Sequence, residues 1–289
     1  MSFMFHPYPY ADPNAVNKIN VPASVREDLT KGVQNVAKKI AKMLEKNSKI
    51  GIDAYPGAEY ETLVNVLRQV LAGQNVVFVD AACTFLDPDE IEAIVTPYLP
   101  EDREVDPVLL YGRRYRDSYR GLQKTERLEA LKEQIKNADK IIVYGKSALC
   151  VDLQDLYDIR IWIDVTPRTA VLNCKNGKNR NIGCTKNLPY NLMMRRNYYV
   201  DFEIAMEQRW EMIKKGTIDY YVTADVPEKM QMLSFGALMD LFEELNSRPF
   251  RCRPVNLLAP RQNPVQMPKN MLHFIKSIIG SGDTGKDQM

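Results

Sequence analysis

The sequence predicts an α/β fold, with a mainly parallel sheet of five strands and helices on both of its faces. Three observations carry the prediction. Apolar runs at 49–53, 75–80, 140–144, 159–164 and 218–222 alternate with stretches of helical period, as in βα units. NVVFVD, KIIVY and IRIWID are nearly continuous in apolar residues, which suits strands buried on both faces of a parallel sheet. Finally, KIGIDAYPGAEYETL at 49–63 runs from a strand, through a turn holding Pro56 and Gly57, into a helix start. Free amides and the helix dipole converge at such a junction and favour an anion.

The chain has 289 residues, 45% of them apolar and 26% charged, enough for one large domain with appendages. Its net charge of +2 selects no partner class. No stretch approaches the roughly 18 apolar residues of a membrane span, and MSFMFHPYPYADP lacks a signal-peptide pattern, so the cytoplasm is the expected compartment, with no membrane partner. Five cysteines without a C-x-x-C spacing read as reduced thiols. With only His6 and His273 present, a histidine-rich metal site or a Ser-His-Asp triad has little material.

Taken in order, residues 1–47 read as a Pro/Tyr-rich arm (1–23) followed by one amphipathic helix. Ser24 and Glu27 have capping-box spacing, and Val25, Leu29, Val33, Val36, Ile40, Met43 and Leu44 form its apolar stripe. Residues 48–246 form the main domain. After Gly57 a helix carries Leu63, Val66, Leu67, Val70 and Leu71 at helical steps. Asp87, Pro88 and Glu90 mark the next helix by cap, first position and box partner. Residues 100–123 have no period and read as a loop excursion containing YGRRYRDSYR, where Arg113, Arg114, Arg116 and Arg120 interleave with tyrosines. Helices are expected at 124–135, 206–215 and 233–245, with Trp162 and Trp210 in the core. Residues 247–289 form a Pro-rich tail.

The strongest bias lies at 165–200, which holds no Asp or Glu but carries Arg168, Lys175, Lys178, Arg180, Lys186, Arg195 and Arg196. Charges of both signs usually mix over such a length. An Asn/Gly-rich centre suggests a basic lid over an anionic ligand; the other reading is a solvated loop balanced by distant acids. Nucleic acid is the weaker anion, because the net charge is low and no binding motif is present. Ligands of open α/β sheets bind at the carboxyl ends of strands. Asp53, Asp80, Tyr144 and Asp164 all fall at such ends and are expected to share one rim, with Asp53 and Asp80 the preferred pair. They serve equally as caps of neighbouring loops.

KIGIDAYPGAEYETL, VVFVDAACTFLDPDEIEAIVTPYL, IIVYGKSAL, IWIDVTPRTAV, MRRNYYVDFEIA and SRPFRCRP, in that order, resemble the kinase-like domain that precedes the cupin in bacterial class I mannose-6-phosphate isomerases. That domain is similar to uridine kinases and phosphoribulokinases, so the resemblance implies a three-layer P-loop NTPase/nucleoside-kinase-like fold. In the G-x-x-x-x-G-K-[ST] frame, however, Ala54, Glu59, Tyr60 and Glu61 fill the signature positions. Losing the lysine removes a charge-assisted contact of about 1.5–3 kcal/mol. Each added glutamate costs up to roughly 4 kcal/mol against a phosphate at close range. The helix dipole returns under about 2 kcal/mol. ATP in the usual pose is therefore disfavoured, unless Glu61 holds Mg²⁺ accompanying a nucleotide.

The resemblance thus implies a catalytically degenerate kinase-like protein that binds a phosphorylated sugar or nucleotide in sugar-phosphate metabolism. Gly57, Ala58, Tyr60, Arg113, Arg114, Lys186, Arg195 and Arg196 would contact the ligand. Two alternatives stand beside it. One is an active sugar or nucleoside kinase using Asp53 or Asp80; the other is an oligomerisation subunit, with itself or with a separate isomerase. VNLLAPRQNPVQMPKN lacks the WGG expected at a cupin start, so isomerase chemistry would need that separate partner.

Overall fold

The computed structural model describes residues 8–9, 20–99, 113–247 and 251–252. The chain divides into two compact units, one of residues 24–238 and another of 1–23 with 239–289. In the latter, β1 (Tyr8–Pro9) pairs in parallel with a strand at Arg251–Cys252. The rest of the expected arm and tail lies outside the described residues.

The larger unit is built on a seven-stranded mixed sheet. Its centre is β3 (Lys49–Ala54), flanked in parallel by strands at Ile141–Tyr144 and Ile159–Asp164. A strand at Val77–Asp80 forms one edge. Naming in chain order, the remaining elements are α1 (Ala23–Asp28), β2 (Thr30–Lys31), α2 (Val33–Met43), α3 (Tyr60–Val70), β4 (Val77–Asp80), α4 (Pro88–Val95), α5 (Thr125–Asn137), β5 (Ile141–Tyr144), β6 (Ile159–Asp164), α6 (Pro167–Lys175), α7 (Tyr190–Arg196), α8 (Phe202–Lys215), β7 (Tyr220–Thr223), β8 (Gln231–Ser234), α9 (Phe235–Asn246) and β9 (Arg251–Cys252). The strand order is β2-β8-β7-β6-β3-β5-β4.

This corrects the expected sheet. The α/β class holds, but the mainly parallel five-stranded sheet of a three-layer P-loop NTPase/nucleoside-kinase-like fold is replaced by a mixed sheet of seven. The five expected strands form the parallel part, and β8 and β2 extend it antiparallel beyond β7. Both additions were hidden by length: β8 spans four residues and β2 two, too short to show a period. β8 takes Leu233 and Ser234 from the helix expected at 233–245, which starts instead at Phe235.

The single helix expected from Ser24 is likewise broken. Thr30 and Lys31 pair with Met232 and Gln231, and Gly32 takes φ 84°, a conformation that stops a helix cheaply only at glycine. The stripe survives: Val33, Val36 and Ile40 on α2 are buried with Leu63 and Leu67 of α3 against Ile50, Ile52 and Ile161. The opposite face of the sheet buries Ile141, Val143 and Trp162 with Leu128, Leu131, Ile204 and Met212 from α5 and α8. Each such aliphatic chain contributes about 1.5–3 kcal/mol on burial. Trp162 is fully buried as expected, whereas Trp210 is 60% exposed on the outer side of α8. Among the described residues, no helix is long and apolar enough to cross a membrane.

Candidate functional site

A cleft of about 540 Å³ opens at the carboxyl ends of β4 and β5. Tyr60 and Glu61 from the start of α3 and Asp80 from the end of β4 form one wall. The basic segment 177–185 closes it from the other side, and Lys146, just past β5, reaches in between. The ammonium of Lys146 donates to the carbonyl of Arg180 and forms no carboxylate ion pair among the described residues. Burial draws the Lys146 pKa down, against the opposing charges of Asp201 and Glu61. Across the cleft, partial burial raises Asp80 and Glu61 despite the nearby Lys146 charge. Of the other cations of the cleft, Arg127 pairs with Asp87 at 2.7 Å and Lys178 with Glu59 at 2.8 Å, whereas the Arg180 guanidinium, like Lys146, has no carboxylate ion pair among the described residues and donates to a carbonyl, that of Thr185 at 3.0 Å. Lys146 is therefore the ammonium positioned to meet an incoming anion.

Sequence reasoning missed Lys146. Its only signal is a charged residue inside an otherwise small and apolar turn, YGKSALC.

The loop expected to cradle phosphate is packed instead. Gly57 has φ 93°, and a Cβ there would lie 2.7 Å from Ala170 Cα of α6. Asn173 of the same helix donates to the Gly57 carbonyl at 2.8 Å, and Ala58 is 3% exposed. Tyr60 does line the cleft, as does Glu61.

The expected rim of strand-terminal residues does not assemble. Asp53 is fully buried and accepts from the amides of Ala54 at 2.7 Å and Leu149 at 2.8 Å, and from the Gln208 side chain at 2.7 Å. Desolvation outweighs these bonds and pushes its pKa up to about 6. Asp164 is engaged by Arg209 at 2.6 Å and by the Tyr221 hydroxyl. Tyr144 accepts from Arg68 at 3.0 Å and packs near Tyr60, with ring centroids 6.4 Å apart. Of these, Asp80 faces the cleft.

The basic segment is tied down rather than free. Asp201 accepts from the Asn181 side chain at 2.9 Å and the Ile182 amide at 3.0 Å. Asn197 and Asp201 belong to a π-helical turn between α7 and α8, a feature frequent at functional sites. Arg195 and Arg196 are buried at 0% and 2% exposure. Arg196 binds Glu92 at 3.0 Å and the Ile182 carbonyl at 2.6 Å, so it braces the lid from behind. Lys186 is exposed one residue past the segment and does not line the cleft. Arg113 and Arg114 lie elsewhere: the Arg113 amide donates to the Tyr98 carbonyl, and Arg114 pairs with Glu203 at 3.5 Å.

A family model described as Domain of unknown function (DUF8485) matches residues 32–247. The chain belongs to that family. A search of curated proteins found no match. The region shared with the DUF8485 family takes in α2 through α9, and so contains the whole cleft and its lid. Among the described residues of this DUF8485 member, no group of three or more His, Cys, Asp or Glu side chains gathers to hold a metal ion. Mg²⁺ asks less, one or two carboxylates with a ligand's phosphate oxygens, and Glu61 and Asp80 are suited to supply them. The chemistry available in the cleft is anion binding by Lys146 and hydroxyl or cation binding by the two acids.

Proposed function

We propose that this protein binds a small phosphorylated ligand, a sugar phosphate or nucleotide, in the cleft between Asp80 and the 177–185 lid, without catalysing its conversion. The observation that carries the reading is Lys146, an ammonium free of carboxylate partners among the described residues, half-buried in a polar cleft beside two acids. A phosphate dianion would displace the Arg180 carbonyl and gain a charge-assisted contact. Glu61 and Asp80 would accept hydrogen bonds from ligand hydroxyls. Tyr60 and Glu59 at the positions of a phosphate-loop lysine and glycine support binding without phosphoryl transfer. The resemblance to the kinase-like domain of mannose-6-phosphate isomerases makes sugar phosphates the first ligands to try, in a cytoplasmic protein acting alone or beside a separate isomerase.

Isothermal calorimetry with mannose 6-phosphate, fructose 6-phosphate, UMP and ATP, with and without Mg²⁺, tests this. Heat from at least one, lost in Lys146→Met, is expected; silence from all of them overturns it. One observation favours a second reading, an active kinase: Asp80 lies in the cleft with its pKa raised by burial, as a general base requires. ATP consumption in the presence of sugars or nucleosides, stopped by Asp80→Asn, would favour it.

A further inference from the structure

The YGRRYRDSYR segment has no part in the cleft, yet its described end borders a second cavity. About 200 Å³ in volume, this cavity lies between the segment, the loop after β5 and helix α8. Its inner wall is apolar: Leu149, Ile204 and Met212 are each 3% exposed or less. Tyr119, 1% exposed, also lines it, and its hydroxyl is buried with no partner among the described residues. The volume accepts one aromatic ring or a branched aliphatic chain.

The mouth carries both charges. Arg116 and Glu207 stand there, and neither makes a hydrogen bond or ion pair among the described residues. Of their neighbours, Lys215 is held by Glu211 at 3.1 Å and Asp117 caps the Ser118 amide at 2.7 Å, while Arg120 lies 3.9 Å from Asp152 with its Nη1 buried and without a hydrogen-bond partner among the described residues. An adjoining hollow of about 220 Å³ shares Arg116, Asp117 and Glu207, so the charged mouth is open to ligand.

An apolar pocket with the exposed Arg116 guanidinium and the exposed Glu207 carboxylate at its mouth, both unpaired among the described residues, matches a particular chemistry. We infer that it takes an apolar α-amino acid: the side chain enters the cavity, the carboxylate meets Arg116 and the ammonium meets Glu207. A simple fatty or aromatic acid would leave Glu207 and Asp117 facing its carboxylate, and an amine would leave Arg116 unmatched. The site is separate from the phosphate cleft and does not depend on that reading.

The test is saturation-transfer NMR with L-phenylalanine and L-leucine, set against phenylacetate, which lacks the ammonium, and phenethylamine, which lacks the carboxylate. The amino acids are expected to bind saturably, about tenfold or more tighter than either analogue. Arg116→Gln should erase the advantage over phenethylamine, and Glu207→Gln the advantage over phenylacetate. Both residues are exposed, so folding is spared. Location is read from the Met212 methyl resonance in ¹³C-methionine protein, assigned with Met212→Leu, which should shift on binding. Absence of saturable binding, equal binding of the analogues, or a silent Met212 methyl would each overturn the proposal.

Discussion

The amide of Leu149 donates to the buried carboxylate of Asp53 at 2.8 Å, bridging 96 residues and fastening the loop after β5 to the end of β3. The same loop carries Lys146 on one side and lines the apolar cavity with Leu149 on the other. A single buried acid therefore sets the position of both candidate sites.

That acid makes stability depend on pH in a definite direction. With a folded pKa of about 6 against the ordinary 3.8, folded Asp53 holds more protons than unfolded Asp53 between those values. Its contribution to stability consequently falls as pH rises from about 4 to 6 and is flat above. At about 1.4 kcal/mol per pH unit, the change is roughly 3 kcal/mol. Urea midpoints of wild type and Asp53→Asn at pH 4 and pH 7 measure it. Wild type should lose stability relative to the variant on going to pH 7; a constant difference would refute the assignment.

Lys146→Met should fold normally, because the replaced ammonium is bonded to one lid carbonyl and to no carboxylate among the described residues. Affinity for a sugar phosphate should drop by about 1.5–3 kcal/mol, ten- to over a hundredfold, in calorimetry.

Gly57→Ala brings a methyl to within 2.7 Å of Ala170 Cα at a backbone φ of 93°. Strain and overpacking together should cost at least about 2 kcal/mol in denaturant unfolding. Replacing Ala170 by glycine as well leaves the backbone of α6 in place, so only a small part should be recovered.

The two partners of the Arg196–Glu92 pair should respond unequally. Arg196→Met leaves the carbonyl of Ile182 without this donor in a buried place, which should cost about 1–3 kcal/mol. Glu92, with 49% of its side chain exposed, returns to water in Glu92→Gln and should cost under about 1 kcal/mol. Thermal unfolding of the two variants distinguishes the outcomes.

Much of this architecture is written locally in the chain. The box at Asp87 forms as its spacing requires, with the Asp87 amide donating to Glu90 at 2.9 Å, because capping involves residues only three apart. The apolar runs become the parallel strands, since burial on both faces demands continuous apolar sequence. β2 and β8 escaped because their pairing, Thr30 with Met232, is decided 202 residues apart and not by local pattern. Asp53 and Asp80 look alike in sequence, each an acid closing a strand. What separates them is the company each keeps: Gln208 and Leu149 enclose Asp53, while Asp80 opens onto the cleft. Lys146 carries no pattern at all, and only the packing of the lid over it gives it meaning.

The π-helical turn at Asn197–Asp201 has a consequence of its own. A wide turn contains one residue more than the ordinary spiral, so excising a single amino acid here would let α7 and α8 fuse smoothly. The shortened rod would swing its preceding half by about 100° relative to the following one. Asp201 and the braces on α7 would then no longer address the same side, and Asn181 and Ile182 would lose the acid that anchors them. One surplus residue, in other words, is what keeps the basic segment seated above Lys146.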